Sequence, residues 1–470
     1  MLRTLHWGSR TIVSALISVA CVGILFFLWT QDALPASKLS FFETAADLQP
    51  PAVFKLHDSL FPVLQVDSNH THQYWIAHNQ RSFRALIECL GNPPFGCAQN
   101  QTKVVILDSF HFSAVLEGHS GGKEVWARST VQALENMGYT FFYTEGLRMR
   151  HSVQLYRMFP NLVKAIFVEG EDAQLCLEDV TCALSEHNPG GIPAWKLLSF
   201  SWRERSASPL GPKWTLSPED YRLERNATVP NTYLGYSVEP GCLSHPFIPR
   251  GLRAKPPQAY VHAKDITYFS AEHHAWKADF YDAAAAETGA HFLVGAFGTA
   301  PSDFPKSVEN VGLLPLKWFY QSLAESSVLV GVGLPGTSPT PYDALCLGVP
   351  YINPILEWDE HDPTNRTAWT AQHEMLKNLD PPHVYNIFKG DKEGFTQAVK
   401  AALAHPIQRS SSIFLAPPFS IGKYSYTLEH MRMRAVELRL GNILETDWKA
   451  DAQLLLRERM STGDGDLFMI

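Results

Sequence analysis

The chain has 470 residues, 45% of them hydrophobic and 18% charged. That is too long for one ordinary domain and apolar enough for substantial cores, which excludes a chain disordered throughout. The net charge is −8 and no long basic run is present, so there is no clustered positive face for phosphate backbones and nucleic acid is not an expected partner.

Thr11 to Trp29 carries no charge and is long enough to cross a bilayer as a helix. Arg3 and Arg10 precede it and Asp32 follows, which keeps the N-terminus cytoplasmic and the remainder lumenal. Leu34-Pro35-Ala36 resembles a cleavage site, but the apolar run exceeds a signal-peptide core and reads as an anchor. The expected order is thus a cytoplasmic tail (1–10), a type II anchor (11–29) and a lumenal body. N-x-S/T acceptors for glycan stand at Asn69, Asn100, Asn226 and Asn365. Beyond Cys21 in the apolar span there are six cysteines, for which Cys89–Cys97 and Cys176–Cys182 are the plausible local pairs. Spacing alone leaves the connectivity open.

Residues 30–102 carry scattered prolines and read as a stem. At Lys103 the texture changes. KVVILDSF (103–110) is the short apolar run of a buried parallel strand. The loop GHSGGKE (118–124) and a helix over 124–138 ending at Gly138 follow, then strands at 139–145 and 163–170. A loop-rich stretch, about 185–257, joins this unit to a second alternation. Strands are expected at 258–264, 290–298, 327–335 and 350–354, and helices at 271–289, 316–326, 341–348 and 393–405. The units are bounded as 103–257 and 258–408, followed by a helical segment (409–450) and a polar, frayed tail (451–470).

The second unit holds the clearest candidate site. A strand runs into a loop with Gly336, Thr337 and Ser338, and a helix opens near Pro341 with Asp343 in its first turn. Small residues admit a ligand close to the backbone, helix-start amides suit a phosphate, and a carboxylate there reaches a ribose hydroxyl. On composition the stretch reads equally as an ordinary strand-to-helix turn. In the first unit, Glu124 follows Gly121 and Gly122 at a helix start and is either a plain first-turn acid or a general base facing a cleft. Asp464-Gly465-Asp466 matches a D-x-D metal pattern but lies in the tail. Asp359 to Asp362 reads as a solvated acidic loop, and no metal is expected.

GVGLPGTSPTPYDALCLGVPYINP (331–354), Thr370-Ala371-Gln372-His373, Pro382-His383-Val384, KWTLSPEDY (213–221) and TYLGYSVE (232–239) occur in one order. In these elements the chain resembles the N-acetylglucosaminyltransferase V family, the α-1,6-mannosylglycoprotein 6-β-N-acetylglucosaminyltransferases. The resemblance covers patches of 103–440. It implies a GT-B fold, two Rossmann-like domains facing across a cleft, with UDP-N-acetylglucosamine as donor on the C-terminal one. It also implies inversion without metal, a glycoprotein N-glycan acceptor and a Golgi membrane location. By the same resemblance Gly336, Thr337, Ser338 and Asp343 bind the donor and Glu124 is the catalytic base. Asp343 stands where the family has Glu, and SGGKE is two residues shorter than the family loop. The family's donor-binding lysine has no clean counterpart; Arg366, inside the Asn365 acceptor tripeptide, is the nearest cation. The reduced N-terminal region leaves the acceptor-binding residues unassigned.

Overall fold

The computed structural model describes residues 73–91, 96–119, 121–144, 149–202, 205–223, 230–270, 274–408 and 428–462. All of these belong to one unit, Val63–Ile470. The expected membrane span 11–29, Asn69, Ser120, Asn226 and the D-x-D tripeptide lie outside them. Among the described residues no helix is long and apolar enough to cross a membrane.

The first described element is α1 (Gln73–Gly91), inside the stretch read as stem. Trp75, Asn79, Phe83 and Leu86 recur at helical spacing and are buried. The Asn79 side chain pairs with both backbone groups of Tyr143, at 2.7 and 2.9 Å, which fixes the helix to the sheet beneath it. The Cys89–Cys97 disulfide closes the end of this helix.

The first sheet follows in chain order. Strand β1 (Val104–Asp108) leads to helices α2 (Phe110–Leu116) and α3 (Gly122–Met137). Next come β2 (Thr140–Thr144), α4 (Arg150–Met158), β3 (Val163–Glu169) and α5 (Gly170–Glu178). The joining stretch is not merely loop: it adds β4 (Leu197–Phe200), β5 (Thr215–Ser217) and β6 (Thr232–Tyr233), then a short helix, α6 (Glu239–Cys242). The six strands are parallel in the order β2-β1-β3-β4-β5-β6. Every residue of β1 and β2 is buried, because helices cover both faces. Helix α3 stops at Gly138, whose left-handed φ of 73° lets the chain turn directly into β2.

The second sheet begins with β7 (Gln258–His262), followed by α7 (Ala278–Thr288), β8 (His291–Val294) and β9 (Val308–Asn310). The chain continues through α8 (Leu316–Glu325), β10 (Val328–Gly331), α9 (Thr340–Cys346), β11 (Tyr351–Glu357), β12 (Thr370–Ala371), β13 (Val384–Phe388) and α10 (Lys392–Ala404). The parallel order is β9-β8-β7-β10-β11-β13, with β12 antiparallel on β11. Helix α7 starts later than expected. His274, inside the range expected to be helical, is buried and bridges the Tyr268 carbonyl and the Tyr281 hydroxyl, at 3.1 and 3.0 Å, while α7 begins at Ala278.

The chain then returns to the first sheet. Helix α11 (Leu428–Glu445) lies along α3, with Asn136 donating to Glu437 at 2.7 Å and Lys103 paired to Glu445 at 2.7 Å. The frayed tail expected from 451 is corrected by α12 (Trp448–Thr462). Its Trp448 packs on Trp214, Ala452 is fully buried, and Lys213 pairs with Asp451 at 2.8 Å. One apolar core runs from the first sheet through Tyr236, Cys242, Tyr320 and Tyr342 into α9, so the two sheets share packing.

Candidate active site

Both sheets have a point where strand order reverses, between β1 and β3 in the first and between β7 and β10 in the second. In open α/β sheets ligands bind beyond the carboxyl ends of strands at such points. A cavity of about 270 Å³ opens at the second one. The second sheet contributes Lys264 beyond β7, Gly295 beyond β8, Tyr320 of α8, and Thr340 and Asp343 of α9. The first sheet's side contributes Gly121, Gly122, Val125 and Arg128 of α3, with Val238 and Gly241 at α6. The site therefore needs both halves of the chain.

Asp343 is nearly fully buried and accepts a 2.8 Å hydrogen bond from the Tyr320 hydroxyl. Burial pushes its carboxyl up to about 8. The Tyr320 bond and the positive charge of Arg128 oppose that rise, while Glu429 adds to it. The Tyr320 hydroxyl is itself driven far up, first by burial and then by Asp343. This buried carboxyl–phenol pair is suited to a ligand that brings hydroxyl donors.

The glycine-rich loop rises from β10. A Cβ at Gly331 would collide with Gln372 Oε1 and Pro354, so only glycine fits there. Gln372 pins the loop from behind: its Oε1 accepts from Gly333 N at 2.9 Å and its Nε2 donates to the Pro335 carbonyl at 3.1 Å. Thr337 N donates to the Gln372 carbonyl at 2.9 Å. Thr337 has φ 51°, a left-handed conformation costly for a β-branched residue and typical of loops under functional constraint. His373 is buried edge-on to Tyr342, and burial holds its imidazole neutral, down to about 3.

Beneath α9, Arg432 of α11 lies 3.5 Å above the Tyr342 ring and 5.2 Å from that of Tyr236, and it donates to the Tyr236 carbonyl at 3.1 and 3.2 Å. Glu219 and Glu429 are buried around it. Burial raises Glu219 to about 7, with Arg432 opposing. Glu429 accepts from Ser237 Oγ and Val238 N, both at 3.0 Å. One arginine thus ties α11, the first sheet's last loop and α9.

The expected site residues are brought together unequally. Asp343 lines the cavity. Gly336, Thr337 and Ser338 lie on the same loop, just before the lining residues Pro339 and Thr340, but do not themselves line it. Glu124 does not line it either; Gly121 and Gly122 do, and the Glu124 carboxylate meets His111 Nδ1 at 2.5 Å. Arg366 is outside the cavity, paired to Asp380 and stacked on Trp369. The cations lining the cavity are Arg128 and Lys264, neither of which has a sequence signal, since their proximity arises from the fold. Of the glycan acceptors, Asn365 is exposed, whereas Asn100 Nδ2 is already engaged with the Met137 carbonyl at 2.9 Å.

The two local disulfides, Cys89–Cys97 and Cys176–Cys182, are present. A third, Cys242–Cys346, spans 104 residues and joins α6 to α9, two walls of the cavity.

Two α/β layers, each with a strand-order reversal, thus meet at one cavity that holds a buried carboxylate. Residues 177–420 match the model of Glycosyltransferase family 18, just over half of the 470 residues, and the chain belongs to that family. The matched stretch contains Gly336 to Asp343 and Arg366, whereas Gly121, Gly122 and Glu124 lie upstream of it. The chain is similar to alpha-1,6-mannosylglycoprotein 6-beta-N-acetylglucosaminyltransferase A of Cricetulus griseus, with 25% identity over 229 residues, or 47% of this chain. The Homo sapiens protein of that name is 24% identical over the same length. The match spans 30% of the length of these relatives. Among solved structures, AviGT4, a glycosyltransferase involved in avilamycin A biosynthesis, overlaps 75% of this chain and 98% of its own at 11% identity and a TM-score of 0.38.

Proposed function

We propose that the chain is an inverting, GT-B type glycosyltransferase that moves N-acetylglucosamine from UDP-N-acetylglucosamine to a mannose hydroxyl of an N-glycan. It would work from the lumenal side of the Golgi membrane, held by the 11–29 span. The observation that carries the reading is the cavity shared between the start of α3 and the reversal point of the second sheet. Gly121 and Gly122, at the turn that carries Glu124, line it together with Asp343.

In this reading Asp343 and Tyr320 take the ribose hydroxyls, and the 336–340 loop lies along the diphosphate. Arg128 and Lys264 supply positive charge as UDP departs. No metal is expected. The acceptor hydroxyl attacks the anomeric carbon as the bond to UDP breaks, and Glu124 takes the proton. The family membership and the similarity to N-acetylglucosaminyltransferases favour the sugar.

A second reading, a glycan-binding relative without turnover, draws on one observation: Arg366, the nearest cation in sequence to the family's donor lysine, is held by Asp380 outside the cavity. A donor panel with the full-length chain separates the two. UDP release dependent on both UDP-N-acetylglucosamine and an N-glycan supports transfer. Preference for another sugar nucleotide overturns the N-acetylglucosamine assignment, and glycan binding without UDP release overturns transfer. Protease protection in sealed vesicles and a glycosidase-sensitive mass test the anchor; a mature form beginning near Ser37 refutes it.

A further inference from the structure

The His111–Glu124 pair is not explained by the donor cavity. His111 is in the first turn of α2, just after β1, while Glu124 is in the first turn of α3. Each is about 8% exposed, and Nδ1 lies 2.5 Å from Oε1. An ionised carboxylate can only accept, so the Nδ1–H donates. The pair stands at the strand-order reversal of the first sheet. There Ser109, which caps α2 and accepts from His111 N, also donates to Glu169 Oε1 at 2.7 Å, joining the ends of β1 and β3. Apolar residues of similar volume would hold two helices at least as well as a buried polar pair. Stability alone therefore does not account for it.

The second oxygen of Glu124 supplies the missing part. A Cβ placed on Gly121 would collide with Oε2. Gly121 is exposed and lines the cavity. Oε2 thus lies where a Cβ at position 121 would stand, beside the cavity wall, while Oε1 is occupied.

We propose that His111 is the positioning residue of the base: its Nδ1–H fixes Oε1 of Glu124 and leaves Oε2, beside Gly121, to receive the acceptor's proton. This rests on the transferase reading. In the step, the acceptor oxygen forms the new bond to the anomeric carbon and the bond to UDP breaks with its electron pair leaving on the β-phosphate. The acceptor's proton passes to Oε2. Holding one oxygen removes the carboxylate's rotational freedom, so the other is presented in a single orientation.

The test uses the full-length chain with His111→Leu, His111→Asn and Gly121→Ala. His111→Leu should lower kcat about tenfold or more while leaving donor KM and UDP affinity unchanged. His111→Asn, whose amide can still donate from a similar position, should recover most of that loss. Gly121→Ala keeps both partners but crowds Oε2, and should lower kcat as His111→Leu does. Wild-type kcat in His111→Leu, no rescue by Asn, or a parallel loss of UDP affinity overturns the assignment. If His111→Leu does not fold, Asn and Gly121→Ala decide: full kcat in Gly121→Ala overturns it. A wild-type chain inactive with every donor refutes the transferase reading and this role with it. An active wild type beside an equally active His111→Leu refutes only His111.

Discussion

Replacing Asp343 by Asn keeps the side chain's shape and its acceptor for Tyr320 while removing the ionisable group. The native carboxyl is buried and raised from 3.8 to about 8. A carboxyl whose pKa is higher folded than unfolded destabilises the fold once the unfolded chain would ionise. The penalty is absent below about pH 4, grows as pH rises, and is complete above pH 8. Each pH unit of that interval corresponds to about 1.4 kcal/mol. The ceiling is therefore about 6 kcal/mol, and about 2–3 kcal/mol is expected once relaxation around the charge is allowed for. Asp343→Asn should thus unfold at higher temperature than wild type at pH 8. The advantage should shrink steadily towards pH 5. UDP affinity should fall in the same variant by about 1–3 kcal/mol above pH 8, where the lost carboxylate bond is charge-assisted, and by less below it. Thermal unfolding of both proteins from pH 5 to 9, with UDP titrated calorimetrically, measures both. A stability difference that does not change with pH would refute the buried-carboxyl argument, and unchanged UDP affinity would remove Asp343 from the ribose.

Glu124→Gln should retain UDP binding and lose transfer by about 10²-fold or more, read as kcat in a coupled UDP-release assay, whereas Glu117→Gln, at the end of α2, should remain active. Arg432→Met removes the charge between Glu219 and Glu429. It should destabilise the protein by about 2–4 kcal/mol at pH 8, followed by thermal unfolding, and by less at pH 5, where Glu219, raised to about 7, is already protonated. A chelator such as EDTA should leave transfer unchanged; loss of activity restored by manganese would contradict the metal-free reading.

The legible parts of the sequence were those whose signal is local. Apolar runs such as KVVILDSF and SVLVGVGLP became strands within a few residues of expectation, and the Gly336–Asp343 loop stands at a strand-order reversal. Three kinds of feature were hidden. Strands of two or three residues, β5 and β6, are too short for any periodicity to register and exist because a neighbouring strand pairs with them. Helices α1 and α12 sit in stretches whose prolines or polar residues obscure the few inward positions, such as Phe83 and Ala452, that anchor them. Long-range meetings leave no trace in spacing: Cys242 with Cys346, Tyr320 with Asp343, and Arg128 with Lys264 across one cavity. Arg366 shows the converse, a residue close in sequence to the family's donor lysine that the fold draws to Asp380.

The return of α11 and α12 to the first sheet has a consequence for biosynthesis. The ribosome delivers β1 to β6 long before residues 428–462, yet Met433, Val436 and Leu440 complete the core over α3, and Trp448 covers Trp214. The amino-terminal layer therefore emerges from the ribosome with an uncovered apolar face that lasts until the final helices arrive. A nascent chain arrested near residue 408 would hold a finished second layer and an unfinished first, and this is the stage at which a chaperone is needed.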